Sequence, residues 1–280
     1  MVPVRDCHNS AILDFTVFRI LISGDSGVDI GNTNITMALI GEDSRIAGTF
    51  RVTTKAQRTS DEYGILIVGF CGNSNVDIND IQDVIISSVV PKVMHSFTNS
   101  IRKYIRKEPI IVGPGIRTGI SIKTDFPKEV GADKIVDAAA VYHLYGGNAI
   151  VIDFGTATTF DYINEKGEFL YNVIMPGLEI SAQALWQQAA KLPEIEIVKP
   201  DSILGKNTDT SMRAGVVYGY IGGSEYIIQK MKEEIGRDDI KVYATGGLGR
   251  VIYNETDMID VYDPDLAFKG MKIIYEKNKK

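Results

Sequence analysis

Apolar residues recur with a period of two in some stretches and close to four in others, and these stretches alternate along the chain, which predicts an α/β protein. The run Thr36–Ile40 predicts a strand, Arg45–Val52 alternates as a second, and Tyr63, Leu66, Ile67 and Phe70 share one face of a helix that Ser60 would cap. Asp83–Val90 is a buried strand stopped by Pro91. From Pro91 to Lys107 a helix follows whose basic outer face (Arg102, Lys103, Arg106, Lys107) is an ordinary solvated surface. Ile110–Val112 is a short strand, and Gly113-Pro114-Gly115 opens a polar connector that sets a boundary near residue 117.

The second half repeats the alternation. A helix carries Ile135, Ala139 and Tyr142 inward, Ile150–Asp153 is a buried strand, and Lys166-Gly167 turns a hairpin into the strand Phe169–Met175, which Pro176-Gly177 ends. Helices are expected over Leu178–Lys191, over Ser211–Ile235 and from Pro264 onward, with a last strand in Lys241–Leu248, ending on Thr245-Gly246-Gly247, between the last two. Gly215, Gly219, Gly222 and Gly223 lie inside the longest helix, where each glycine costs about 1 kcal/mol against alanine, so that helix is expected to pack closely against another element.

Two stretches share a further pattern. Asp29-Ile-Gly-Asn-Thr33 and Asp153-Phe-Gly-Thr-Ala157 each read as acid, apolar residue, glycine, polar residue, small residue, and each adjoins an apolar run. One isolated copy reads first as an ordinary hairpin turn. Alternatively, a strand delivering Asp153 to a turn at Gly155 would leave Thr156, Thr158 and Thr159 facing one spot beside the carboxylate, as a phosphate cradle with a cation anchor. Two copies half a chain apart imply two similar halves closing on one polyphosphate. Asp125, Glu129 and Asp133 cluster ahead of a helix, where acids serve either the helix dipole or catalysis.

The chain has 280 residues, enough for two cores, with 44% hydrophobic and 24% charged residues and mean hydropathy near zero. Its net charge of -6 argues against a nucleic-acid backbone as main ligand. No apolar stretch is long enough to span a membrane. Cys7 and Cys71 cannot build a disulfide framework, which fits a cytoplasmic protein. His8, His95 and His143 are scattered and form neither a dyad nor a metal spacing. The apolar run Ala11–Ile22 is broken by Asp14 and Arg19 and is read as non-secretory; residues 1–24 are set apart as an N-terminal extension, 25–117 as a first domain and 118–280 as a second.

In order along the chain, Asp29-Ile-Gly-Asn-Thr33, Asp153-Phe-Gly-Thr-Ala-Thr158 and Ala244-Thr-Gly-Gly247 resemble the two phosphate motifs and the adenosine motif of the actin, hexokinase and acetate kinase superfamily. Ser87–Pro91, Val130–Asp133, Pro176–Glu179, Lys191–Pro193, Gly205–Thr208 and Gly215–Tyr220 narrow the resemblance to type III pantothenate kinases. It implies two ribonuclease-H-like domains with the nucleotide between them, and ATP-dependent phosphorylation of pantothenate to 4'-phosphopantothenate, the first step of coenzyme A biosynthesis. It also implies that Asp29, Ile30, Gly31, Asn32, Thr33, Asn34, Ile35, Thr36 and Thr156 line ATP, with Asp29 holding magnesium through water. Asp153 would hold a monovalent cation, potassium or ammonium, and Asp133 would be the general base. Thr124, Gly131, Ala132, Asp133, Lys134 and Thr208 would form the pantothenate pocket of a homodimer. Two positions depart from the family pattern: Lys134 stands where arginine is common, and Thr124 where tyrosine is common. The reading set against this one is a nucleotide-switched regulatory protein of the same fold.

Overall fold

The computed structural model describes residues 34–41, 46–54 and 57–279, together with the backbone of 18–24. One sheet is built from β1 (Phe18–Gly24), β2 (Asn34–Gly41), β3 (Ile46–Thr53), β4 (Ile81–Ser87) and β5 (Ile110–Ile111), in the spatial order β3-β2-β1-β4-β5. The other contains β6 (Ser121–Ile122), β7 (Ala149–Phe154), β8 (Ala157–Ile163), β9 (Glu168–Pro176), β10 (Lys241–Thr245) and β11 (Val261–Tyr262), in the order β11-β10-β7-β8-β9-β6. In each, a middle strand (β1 or β7) has an antiparallel meander on one side and parallel strands on the other. The two halves therefore repeat one topology.

Residues 1–24 were set apart as an extension on sequence grounds, but Phe18–Gly24 runs between β2 and β4 as the middle strand of the first sheet. The glycines and serines after Ile22 hid it, because they interrupt the apolar run that marks the equivalent strand β7.

Helix α1 (Ser60–Asn73) is capped one residue earlier than expected. Thr59 is the N-cap, accepting from the Glu62 amide at 3.3 Å while its own amide donates to Glu62 Oε2 at 2.7 Å. Only Thr59 has a glutamate three residues on, so only Thr59 can close this reciprocal box. With α2 (Pro91–Ser100) it covers one face of the first sheet, where Ile35, Met37 and Leu39 meet Tyr63, Ile67, Phe70 and Phe97. The helix expected to reach Lys107 turns into a π-helical turn over Ile101–Ile105 and stops at Arg106, whose φ of 61° is left-handed. Arg102 pairs with Glu108 and Lys103 with Asp61, so the basic run is a solvated surface as expected.

The opposite face, carrying Ala38, Ile40 and Ile85, packs on α3 (Ala132–Tyr145) and α7 (Leu266–Asn278) through Val136, Ala139, Met271 and Ile274. Helix α3 is buried on a second side too, since Ala138, Ala140 and Val141 meet Val151, Ile163 and Phe169 of the second sheet. Helices α4 (Leu178–Gln188), α5 (Thr208–Ile235) and α6 (Gly249–Tyr253) serve the outer face of that sheet, with Val217, Tyr220 and Ile228 of α5 against Ile150, Ile152 and Phe160. Thus α3 and α7 lie between the two sheets. Asn278, at the end of α7, accepts from the Arg117 amide at 3.0 Å and donates to its carbonyl at 2.8 Å, fastening the connector between the halves.

Candidate active site

Two cavities open beside the first turn of α3. The smaller, about 150 Å³, has Thr36, Asp133, Asp137 and Asp153 on its walls and Thr245, Gly246 and Gly247 at its far end. The larger, about 700 Å³, is walled by Thr124, Gly131, Asp133 and Lys134, with Thr159, Tyr171 and Ile174 opposite. Asp133 lines both.

The strand ends position this arrangement. Asp153 and Thr245 are neighbours across the parallel pair β7 and β10. Gly246 follows with φ 93°, and a Cβ there would sit 2.6 Å from Asp153 Oδ1 and from the Phe154 amide nitrogen, so only glycine lets the chain turn this close to the carboxylate. Asp133 is in the first turn of α3, whose N-cap Gly131 has no side chain to occupy the free helix amides.

Of the residues expected to line ATP, Thr36 reaches the smaller cavity. Ile35 points into the core beside Met37 and Leu39, Asn34 opens β2, and Asp29, Ile30, Gly31, Asn32 and Thr33 lie outside the described residues. Thr156 sits in the turn between β7 and β8, its carbonyl accepting from the Gly177 amide at 2.9 Å, and it lines neither cavity. Thr124, Gly131, Asp133 and Lys134 gather at the larger cavity, Ala132 turns toward the core, and Thr208 starts α5 away from both cavities.

The expected cradle of threonine hydroxyls is not formed. Thr158 and Thr159 are consecutive on β8, so their side chains point to opposite faces. Thr158 Oγ1 is hydrogen-bonded to Tyr220 Oη on the α5 side, whereas Thr159 Oγ1 donates to Asp161 Oδ2 at 3.0 Å on the α3 side.

Four contributors were missed from sequence. Asp137 lies four residues after Asp133, a spacing that places both on one helix face, and that signal was readable. Arg51, taken only as part of an alternating strand, lines the smaller cavity and donates from Nε to Thr36 Oγ1 at 3.3 Å. Ser87 ends β4 at the same cavity; its Oγ, like Oγ1 of Thr124 in the larger one, is buried without a hydrogen-bond partner. Such orphaned hydroxyls are uncommon in native interiors and accumulate where a ligand completes them. The fourth is Asp161, 3% exposed, with Oδ1 3.7 Å from Lys134 Nζ. Burial pushes its carboxyl up to about 7, against the opposing pull of Lys134 and the Thr159 hydroxyl, and the nearby Asp133 charge adds to the rise.

Among the described residues no three acids, histidines or cysteines converge closely enough to hold a metal ion by themselves. The acid-lined cavity instead suits magnesium that keeps most of its waters and is carried on nucleotide phosphates.

The model of the family described as type III pantothenate kinase matches residues 27–230. The chain belongs to the type III pantothenate kinase family. A type III pantothenate kinase of Agathobacter rectalis is 57% identical over 253 residues, covering 90% of this chain and 97% of that one. Among solved structures, a Campylobacter jejuni protein described as a Baf family transcriptional activator superposes with TM-score 0.55 at 21% identity, over 92% of this chain and 98% of that one. A Sinorhizobium meliloti protein described as a 2-dehydro-3-deoxygalactonokinase gives 0.55 at 12% identity, over 93% and 97%. These structural likenesses show the fold alone: two α/β halves of the actin- and hexokinase-like ATPase kind. Within a type III pantothenate kinase, the larger cavity falls beside the family motif Val130–Asp133 and the smaller one beside Ala244–Gly247.

Asp161 carries a consequence for stability. A carboxyl near 3.8 in the unfolded chain and about 7 in the folded one binds its proton more tightly when folded. Its favourable contribution is therefore complete below about pH 4 and lost as pH rises through about 7. Asp161→Asn has no such loss, so its unfolding midpoint should gain on the wild type between about pH 5 and pH 8. A constant difference in thermal melts at the two pH values would refute the assignment.

Proposed function

We infer that the chain transfers the terminal phosphoryl group of ATP to the primary hydroxyl of pantothenate, giving 4'-phosphopantothenate and ADP at the first step of coenzyme A biosynthesis. Family membership fixes the reaction class, and the observation that supports its location is Asp133 on the wall shared by the two cavities. A phosphate donor in the smaller cavity and an alcohol in the larger would meet at that carboxylate. In this reading the pantothenate hydroxyl oxygen bonds to the γ-phosphorus as the bond to the β,γ-bridging oxygen breaks, and Asp133 accepts the hydroxyl proton. Because phosphoryl transfer passes through a loose transition state, orientation and charge neutralisation carry most of the catalysis. Magnesium bound with ATP supplies the neutralising charge, and Asp29 would hold it through water.

Thr124, Gly131, Ala132 and Lys134 would surround the pantothenate, with Lys134 giving its carboxylate a point charge rather than the two-pronged contact of an arginine. Asp29 to Thr36 and Thr156 would line ATP. Asp153 would hold a monovalent cation, supported by its carboxylate standing at the turn where Gly246 closes over it. A regulatory switch of the same fold is the weaker reading: the chain's net charge of -6 disfavours direct contact with DNA. ATP consumption with and without pantothenate separates the two, since stimulation by pantothenate belongs to a kinase alone.

A homodimer is part of the proposal. Among the described residues a Cβ on Gly215, Gly219 or Gly222 would meet nothing within 4 Å, so this glycine row of α5 is left open on its outer side. Thr208 begins the same helix, and Tyr171 (56% exposed) and Ile174 (61%) leave the wall of the larger cavity open. A second copy would cover these surfaces and bring its Thr208 to the pocket. Light scattering at micromolar concentration should give twice the chain mass, and Gly219→Leu should lower it toward the monomer. A monomeric wild-type protein would overturn the dimer.

Removing the proton acceptor while keeping its shape, Asp133→Asn should lower kcat by about 10² to 10⁴, the usual contribution of a positioned base, with KM for ATP nearly unchanged. Lys134→Ala should chiefly raise KM for pantothenate, because the carboxylate is equally charged in ground and transition states. If Asp133→Asn kept more than about a tenth of the wild-type kcat, the general-base role would be wrong. The cation has its own check: rates should fall when potassium is replaced by a large organic cation, and equal rates would remove the role given to Asp153.

A further inference from the structure

We propose that Asp161 is a positioning residue of the pantothenate pocket, holding the Lys134 ammonium against the cavity wall at the place where the substrate carboxylate arrives. The inference rests on the reading of Lys134 as the carboxylate's ligand. Asp161 lies on β8 under the first turn of α3, 3% exposed, and is not itself among the residues that line the cavity. Its Oδ2 accepts from Thr159 Oγ1 at 3.0 Å, which orients the carboxylate; its Oδ1 faces Lys134 Nζ at 3.7 Å and receives no hydrogen bond.

That distance is an ion pair but too long for a hydrogen bond, so the attraction fixes the ammonium without occupying its donors. A lysine head on a flexible stem is otherwise free to wander. A buried carboxylate behind it removes that freedom and leaves the N–H groups available to an anion entering from the open side. Two carboxylates, one of the protein and one of the substrate, would then share a single ammonium.

The test is steady-state kinetics on the full-length protein with Lys134→Ala, Asp161→Asn and the double variant. Asp161→Asn should raise KM for pantothenate by roughly three- to thirtyfold, the coupling usual within one ion-pair network, with kcat and KM for ATP changed less than about twofold. In the Lys134→Ala background the same change should add nothing. Thr159→Val, which keeps the carboxylate but removes the hydroxyl that orients it, should raise the same KM to a smaller extent, again only when Lys134 is present. Should Asp161→Asn fail to fold, Thr159→Val alone decides, and an unchanged KM for pantothenate would overturn the inference. If Lys134→Ala leaves KM for pantothenate unaltered, the reading of Lys134 falls, and the inference with it. If Lys134→Ala raises it while Asp161→Asn does not, or if the two effects multiply independently, Asp161 has no positioning role and the reading of Lys134 stands.

Discussion

Everything at the site depends on how closely α7 approaches α3. A Cβ on Gly270 would lie 2.3 Å from the Val136 carbonyl oxygen, so the two helices touch backbone to backbone there. Overpacking such a contact costs about 1 to 3 kcal/mol and moves the elements apart. The helix pair lies between the two sheets, and the run Ala138-Ala139-Ala140 keeps α3 narrow enough to be buried from both sides. Because α3 is fixed along its length, its first turn is fixed too, and with it Asp133 and Asp137. A wider helix pair would part the sheets and separate the two cavities that Asp133 joins.

The sequence carried the local part of this structure well. Period-two burial over Ile35, Met37 and Leu39, the amphipathic face of α1, and the meander from β7 to β9 all follow from side-chain alternation and turn chemistry, which neighbouring residues determine. Pairings between distant residues were less legible. Nothing near Phe18 announces that this strand lies between β2 and β4, and nothing near Asn278 announces that it clasps Arg117. At the site, motif words led to Asp133, Asp153 and Lys134, whereas Arg51 and Asp161 reach it only through the stacking of strands and helices, and Ser87, though it opens a motif word, was given no place in the site. The misplaced threonine cradle shows the limit from the other side: treating consecutive residues as one cluster ignored the strand that separates Thr158 from Thr159.

Electrostatics sets a condition on what can enter. Asp133, Asp137 and Asp153 face a space of about 150 Å³, with Arg51 as the cation on its wall. Like charges repel, and a bare polyphosphate would meet that repulsion from the acid wall. In the proposed reading a nucleotide would enter only with positive charge of its own, which the acid wall would then attract. The larger cavity carries Lys134 and Lys123 on its wall, which in the proposed reading would favour a carboxylate beside an alcohol.

The two halves repeat one topology, and comparing equivalent strands separates what the fold needs from what the chemistry needs. β2 and β8 each lie between a middle strand and an outer one. Along β2 the buried residues are Ile35, Met37, Ala38, Leu39 and Ile40, all apolar. Along β8 the corresponding burial includes Thr158, Thr159 and Asp161. The buried positions of a strand in this place can all be apolar, as β2 demonstrates, so the buried polar groups of β8 are not a requirement of the architecture. Burying them is unfavourable unless each finds a partner, and they do: Thr158 with Tyr220, Thr159 with Asp161, Asp161 with Lys134. Two links of that chain run toward the cavity beside α3, and the last ends on the side chain that faces its interior. The departure from apolar burial thus appears in the half whose strand must hold a charge still, and its direction along the strand points to the pocket.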